Sequence, residues 1–180
     1  HSGFEGTITL PSFLLTSIIV EIGKQISDIG FKRLILLNAH GGQISLLNTA
    51  ARELRSVTSN LDVFPVFLWS GVKGLKEVLT KSELENGLHA SLAETSLMMS
   101  LKPELVGDER PCEGIPKNKP KGWSLEGDAP TAWFTEDLSK SGVIGDSRGA
   151  NLELGNNLKK LLVDHWYEMI HGLMSSDWPR

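Results

Sequence analysis

Leu34-Ile35-Leu36-Leu37-Asn38-Ala39-His40-Gly41-Gly42-Gln43 is the stretch that decides the fold. Four consecutive apolar residues between breakers are too few for a buried helix. The run therefore reads as a central strand, covered on both faces, that ends at Asn38. Upstream, Leu14, Ile18, Ile19, Ile22 and Ile26 recur at spacings of three and four within residues 11–29, which predicts a helix burying one face, with Gly30 as its stop. Downstream, residues 43–58 return to helical period through Ile44, Leu47, Ala51 and Leu54. Val63-Phe64-Pro65-Val66-Phe67-Leu68 then reads as a second strand despite its proline. The order α-β-α-β predicts an α/β fold with parallel strands, helical crossovers, and ligands beyond the carboxyl ends of the strands.

Further along, a helix is expected from near Ala90 through Leu92, Thr95, Leu97, Met98 and Leu101, closed by Pro103. From there to about Ser147 the chain is rich in Gly, Pro, Lys and Asp, holds Trp123 and Trp133, and lacks sustained periodicity. A stretch of that kind serves as a lid, a binding element or an oligomer contact. A last helix is expected from about Gly149 to Met174. With no internal repeat and no second domain in view, residues 1–180 read as a single domain.

Composition narrows the function. The 180 residues carry 18 Lys and Arg against 22 Asp and Glu, a formal charge of −4, without a basic run. That argues against nucleic acid as a partner and favours a small molecule. Cys112 is the only cysteine, which rules out an internal disulfide framework and a multi-cysteine zinc cluster and agrees with a reducing, cytoplasmic setting. No apolar stretch reaches the roughly 20 residues that cross a bilayer, so no membrane association is expected. The opening His1-Ser2-Gly3-Phe4-Glu5-Gly6-Thr7 reads as the middle of a loop, and a preceding segment is expected.

Two constellations could carry chemistry. His40 stands at a strand's carboxyl end before a helix, and the paired glycines allow a tight turn and close backbone approach. Neutral imidazole there suits a metal or a substrate, and equally a cap on the next helix. In His89-Ala90-Ser91-Leu92-Ala93-Glu94-Thr95, a carboxylate sits among apolar residues. Glu94 must then face solvent, form an ion pair or bind a cation, because an unpaired buried charge costs several kcal/mol. His89 could serve as general acid or base, since imidazole takes up and releases protons near neutral pH, or play no catalytic part.

Gly145-Asp146-Ser147-Arg148-Gly149 matches the G-x-S-x-G nucleophile elbow, but too little chain follows to bring an acid and a histidine back to Ser147 on separate loops. Asp146 or Ser147 is read instead as the N-cap of the last helix. His165 and His171, beside Trp166, Tyr167 and Met169, read as surface or packing residues. Walker, dinucleotide, His-Glu-x-x-His and EF-hand patterns are absent.

Taken together, these segments resemble the creatininase (creatinine amidohydrolase) family in residues, order and approximate spacing over nearly the whole chain. His1 through Ile8 is similar to its His-x-x-Phe-Pro-Gly-Thr-Ile segment, and Asn38 through Gln43 to Asn-Gly-His-Gly-Gly-Asn. His89 through Ser96 is similar to His-Ala-Gly-Glu-x-Glu-Thr-Ser, and Leu101 through Val106 to its Leu-x-Pro-x-x-Val tail. Gly142-Val143-Ile144-Gly145-Asp146 also looks like a family motif.

The resemblance implies a three-layer α/β/α fold with a mainly parallel central sheet. It further implies a binuclear centre of Zn²⁺ or Mn²⁺ that activates water against a cyclic amide or related C–N bond. It implies His40 and Glu94 as metal ligands, His89 as the carrier of a proton to the departing nitrogen, and Trp123 and Trp133 as aromatic residues over a small-molecule substrate. A homo-oligomer is implied, the hexamer being common in the family.

Some positions depart from the pattern. The family's remaining ligands, a Glu, a His and an Asp from a Glu-x-His-Gly-x-His strand end, have no counterpart before His1. Ala39, Gln43, Glu5 and Ser91-Leu92 replace usual Gly, Asn, Pro and Gly-Glu. Two expectations follow: a metal-dependent amidohydrolase lacking its N-terminal part, or a catalytically inactive relative with an assembly or ligand-binding role.

Overall fold

Parallel strands need a crossover between them, and the segment from Arg33 to Phe67 supplies one. In the computed structural model, which describes residues 1–179, β1 (Arg33–Asn38) pairs in parallel with β2 (Asp62–Phe67) in a register running from Arg33 opposite Asp62 to Asn38 opposite Phe67. The connection is a 3₁₀ turn (Gly41–Gln43) and α2 (Ile44–Val57). Pro65 sits opposite Leu36 within the pair. Leu34, Ile35 and Leu36 are half-buried, while Leu37 is 57% exposed, so the covering expected on both faces is partial and gives out at Leu37.

The expected first helix is α1 (Ser12–Asp28). Gly30, at φ +99°, ends it: the Phe31 N–H donates to the Ile26 carbonyl at 3.3 Å, a closure that a residue with a Cβ resists. Helix α1 packs on α2 at Gly23, where a Cβ would fall 2.2 Å from Leu54 Cδ2. Leu54, Ala50 and Ala51 are buried. Of the five spaced apolar residues of α1, Ile19 and Ile26 are half-buried and Leu14, Ile18 and Ile22 exposed, so α2 covers only part of the stripe.

These elements form one of two compact units, Ile8–Gly71 together with the residues from Glu168 on. Within it the Arg33 guanidinium donates to the Leu173 carbonyl at 2.6 Å and the Trp178 carbonyl at 3.0 Å, closing the end of the last helix.

The other unit comprises His1–Thr7 and Val72–Tyr167. It holds α3 (Leu75–Val78), α4 (Lys81–Asn86), α5 (Leu92–Leu101), β3 (Cys112–Glu113), α6 (Thr135–Leu138), β4 (Gly145–Asp146) and α7 (Leu152–Met174) as far as Tyr167. Strands β3 and β4 pair antiparallel. Its core combines Ile144, Leu158, Leu162 and Ala93 with buried Ser91, Ser96, Thr135 and Ser147.

Helices α5 and α7 meet at Gly155, where a Cβ would lie 1.9 Å from the Ser96 carbonyl oxygen. The region from Pro103 to Ser147 is pinned by polar bonds. The Glu113 carboxylate accepts from the Ser139 hydroxyl at 2.7 Å and from the N–H groups of Lys140 and Ser141 at 2.9 and 3.0 Å.

The N-cap of α7 is neither Asp146 nor Ser147. Asn151 Oδ1 accepts from the Leu154 N–H at 2.9 Å, three residues on, as a cap does. The two expected caps are occupied elsewhere: Ser147 Oγ donates to the Pro111 carbonyl at 2.8 Å, and the Asp146 carboxylate pairs with Arg148 at 2.7 Å. Ser147 is only 1% exposed, which also leaves it unavailable as a nucleophile. No helix among the described residues is long and apolar enough to cross a membrane.

Candidate functional site

The end of β1 fixes His40. Asn38 is 6% exposed, and its amide reaches two residues on in both senses: Nδ2 donates to the His40 carbonyl at 2.8 Å, and Oδ1 accepts the His40 N–H at 3.0 Å. Both backbone groups of the histidine are thereby satisfied by one buried side chain, so the turn after the strand is held from inside. The imidazole folds over Gly42, where a Cβ would stand 2.9 Å from His40 Nε2. The second glycine thus makes room for the ring. His40 offers no side-chain cap to the following turn, so the capping alternative is not realised. It stays half-buried at the carboxyl end of the strand, as the α-β-α-β reading placed it.

In the other unit, the turn before α5 brings His89 and Glu94 together. The His89 N–H donates to the Ile144 carbonyl at 3.1 Å, and the Ile144 N–H donates to the His89 carbonyl at 2.8 Å, a backbone bridge to a fully buried residue. Ala90 follows with φ +49°, a left-handed conformation that costs a residue with a Cβ roughly 1–2 kcal/mol. Two hydrogen bonds and a buried neighbour support it. The Ala90 N–H donates to Glu94 Oε2 at 2.7 Å, the Thr95 hydroxyl donates to the Ala90 carbonyl at 2.8 Å, and Ser91 is buried. Glu94 therefore turns back over the start of its own helix, where ends of N–H groups favour a negative charge.

Glu94 Oε2 stands 3.9 Å from His89 Nδ1, beyond a hydrogen bond and close enough for an ion pair when the ring is protonated. Burial raises the Glu94 pKa above the usual carboxylate value, the Ala90 N–H opposes the rise, and the Glu83 charge adds to it. Its side chain is nonetheless 35% exposed, so this is a partly wetted carboxylate at a surface rather than a sealed charge.

His1 joins this cluster. Its ring centroid is 3.9 Å from that of His89, tilted by 52°, and its Nε2 is buried. Phe4 packs at 6.4 Å from the His1 ring and lies 3.4 Å from where a Cβ on Gly142 would be. Sequence reasoning left His1 out of the site. The signal was the His-x-x-Phe spacing at the start of the chain, with the Gly142-Val143-Ile144 segment against which it packs.

Trp133 lies in the loop between β3 and α6, and its indole N–H donates to the Leu125 carbonyl at 3.1 Å. Trp123 is 57% exposed in the same loop. The structure thus joins His89 with Glu94, adds His1, and describes His40 within the other unit with its own supporting shell. Among the described residues no three His, Cys, Asp or Glu side chains gather where one metal ion could sit.

Comparison with known proteins bears on this arrangement. Mycofactocin precursor peptide peptidase of Mycobacterium tuberculosis is 26% identical over 172 residues, which cover 91% of this chain and 57% of that protein. Creatinine amidohydrolase of Pseudomonas putida is 29% identical, covering 89% of this chain and 63% of that protein. The chain thus spans less than two thirds of the length of these relatives.

Among solved structures, a Bacteroides fragilis protein provisionally assigned as a creatinine amidohydrolase superposes with a TM-score of 0.79 at 22% identity, covering all of this chain and 69% of that one. A structure described as creatininase Mn gives 0.69 at 24% identity, and a mutant creatininase of the Zn-Zn type gives 0.71 at 24%, each covering 96% of this chain and 68% of that one. These superpositions show the creatininase α/β fold. A family model described as creatininase, creatinine amidohydrolase, matches residues 1–170, and the chain belongs to that family.

Proposed function

We propose that the full protein of which this chain forms part is a metal-dependent hydrolase of non-peptide C–N bonds, cyclic amides foremost. The observation that carries the reading is the His89–Glu94 pair: an imidazole and a carboxylate 3.9 Å apart, held by a bridged backbone and a strained turn at a helix start. In that reading His89 carries a proton to the departing nitrogen, which a ring anchored through its own backbone and free of helix geometry can reach. Glu94 fixes the charge beside it. Trp123 and Trp133 are proposed to contact a small-molecule substrate from their loop.

The manganese and Zn-Zn relatives support divalent ions as the cofactor. The donors of this chain fit such ions in kind, imidazole nitrogen from His40 and carboxylate oxygen from Glu94, and each of the two is proposed as one ligand. In number they fall short of a site, since no group of three gathers among the described residues. A homo-oligomer, the family's hexamer included, is proposed on the resemblance alone, and a cytoplasmic setting on the single cysteine, Cys112.

Incubation of the full-length protein with creatinine, other cyclic amides and short peptides tests the bond class. A residue that transfers a proton is worth typically 10²–10⁴ in rate, so His89→Ala is expected to lower kcat on a cyclic amide by that range while binding persists. Equal turnover by the variant would remove His89 from the mechanism. Cleavage of peptides alone would replace the substrate class.

Leu92, standing where the resemblance implies a carboxylate, favours a second reading, a creatininase-fold protein that binds a ligand or assembles without turning over substrate. A full-length protein without metal and without hydrolysis would establish it.

A further inference from the structure

We propose that Glu83 is the positioning residue of the His89–Glu94 pair, acting through Ser91 and the first turn of α5. Glu83 lies on α4 and is 7% exposed, yet its two carboxylate oxygens are spent in separate directions. Oε2 accepts from the Ser91 hydroxyl at 2.6 Å, and Oε1 accepts from the Ala93 N–H at 2.8 Å. The second bond serves a helix-starting N–H that has no partner within α5, and Ser91, the N-cap, makes no side-chain capping bond to that helix. The cap of α5 therefore comes from the preceding helix.

Ser91, 1% exposed, uses its hydroxyl twice, since it also accepts from the Asp146 N–H at 3.0 Å. That one oxygen ties α4, the start of α5 and β4 together.

Two glycines clear the space for this pair. A Cβ on Gly87 would lie 2.4 Å from Glu83 Cδ, and one on Gly145 would lie 2.2 Å from Ser91 Oγ. The turn that carries His89 is thereby pinned at both ends, at His89 by its backbone bridge to Ile144 and at Ser91 by Glu83. Ala90, in its left-handed conformation between them, then presents its N–H to Glu94. The spacing of His89 and Glu94 follows from those two pins. A buried carboxylate held only by neutral donors is costly to desolvate, which makes a positioning role a better account of Glu83 than stability alone.

That this spacing serves catalysis rests on the hydrolase reading, so the test uses readouts that need no turnover. Glu83→Gln and Glu83→Ala are made in the full-length protein, and amide hydrogen exchange is measured together with the NMR signals of the His89 ring. Glu83→Gln keeps an oxygen for the Ala93 N–H but faces Ser91 with a second donor, so the fold is expected to survive with Ser91 released. The expected result in both variants is exchange at least ten-fold faster over residues 90–94, no change over Ala50–Leu54 of α2, and displaced His89 ring signals. Glu83→Gln decides where Glu83→Ala fails to fold. The proposal is overturned if either readout in Glu83→Gln equals the unsubstituted protein, or if exchange accelerates by the same factor in both segments.

Discussion

His40 owes its place to two neighbours that have no chemistry of their own. Asn38 holds both of its backbone groups, and Gly42 leaves room for its ring. Replacing Asn38 with Ala abandons two hydrogen bonds in a buried setting, and leaving such groups unsatisfied costs about 1–3 kcal/mol each way it is measured. Denaturant unfolding of Asn38→Ala is expected to show a loss in that range, and Asn38→Asp, which keeps the acceptor but sets a buried carboxylate oxygen against the His40 carbonyl, is expected to lose at least as much. Gly42→Ala is expected to leave stability nearly unchanged, because the site is exposed and the ring can turn, while displacing the His40 NMR signals.

The sequence made His40, His89 and Glu94 legible because each is a chemically distinctive residue at a recognisable strand or helix boundary. Glu83 and His1 were not legible in that way. Their importance comes from contacts across 8 and 88 positions, Glu83 to Ser91 and His1 to His89; the His-x-x-Phe spacing marks His1, but no local pattern encodes the contacts themselves.

Among the elements, the long periodic ones could be read in advance. Helices α1, α2, α5 and α7 and the parallel pair β1–β2 lie where apolar spacing put them, with shifts of a few residues at their ends. The short α3, α4 and α6 and the two-residue strands β3 and β4 carry too few turns or alternations to register as periodicity, and polar bonds rather than apolar faces define them.

Glu113 is the clearest case of such a bond. Donors from Ser141 and Ser139 hold its pKa down to about 2, against an ordinary value of 4.5. A depressed folded-state value means that the contact stabilises above the unfolded value and is lost as pH falls through the folded one. Protection of the Lys140 and Ser141 amides, measured against intrinsic exchange at each pH, is therefore expected to fall between about pH 4.5 and 2, and Glu113→Gln should abolish that fall. Gly155→Ala tests the α5–α7 contact: a methyl group 1.9 Å from a backbone oxygen cannot be absorbed by a side-chain rotation. Overpacking of this kind typically costs 1–3 kcal/mol, and about that loss or more is expected on thermal unfolding.

For the whole molecule, the order of the motifs carried the family, and the family carried the fold. The match over residues 1–170 bears out the resemblance drawn from His1–Ile8, Asn38–Gln43, His89–Ser96 and Gly142–Asp146. Composition contributed less: a charge of −4 without a basic run narrows partners but not chemistry. Ligand geometry was the part least open to sequence reading, because a metal site is a convergence of distant side chains and only His40 and Glu94 could be nominated one at a time.

The most direct test of the central claim is metal content per chain by elemental analysis of the full-length protein, taken with hydrolysis of a cyclic amide before and after chelation. About two divalent ions per chain are expected, with turnover that disappears on chelation and returns with Zn²⁺ or Mn²⁺. Absence of bound metal with no hydrolysis, or hydrolysis indifferent to the chelator, would contradict it.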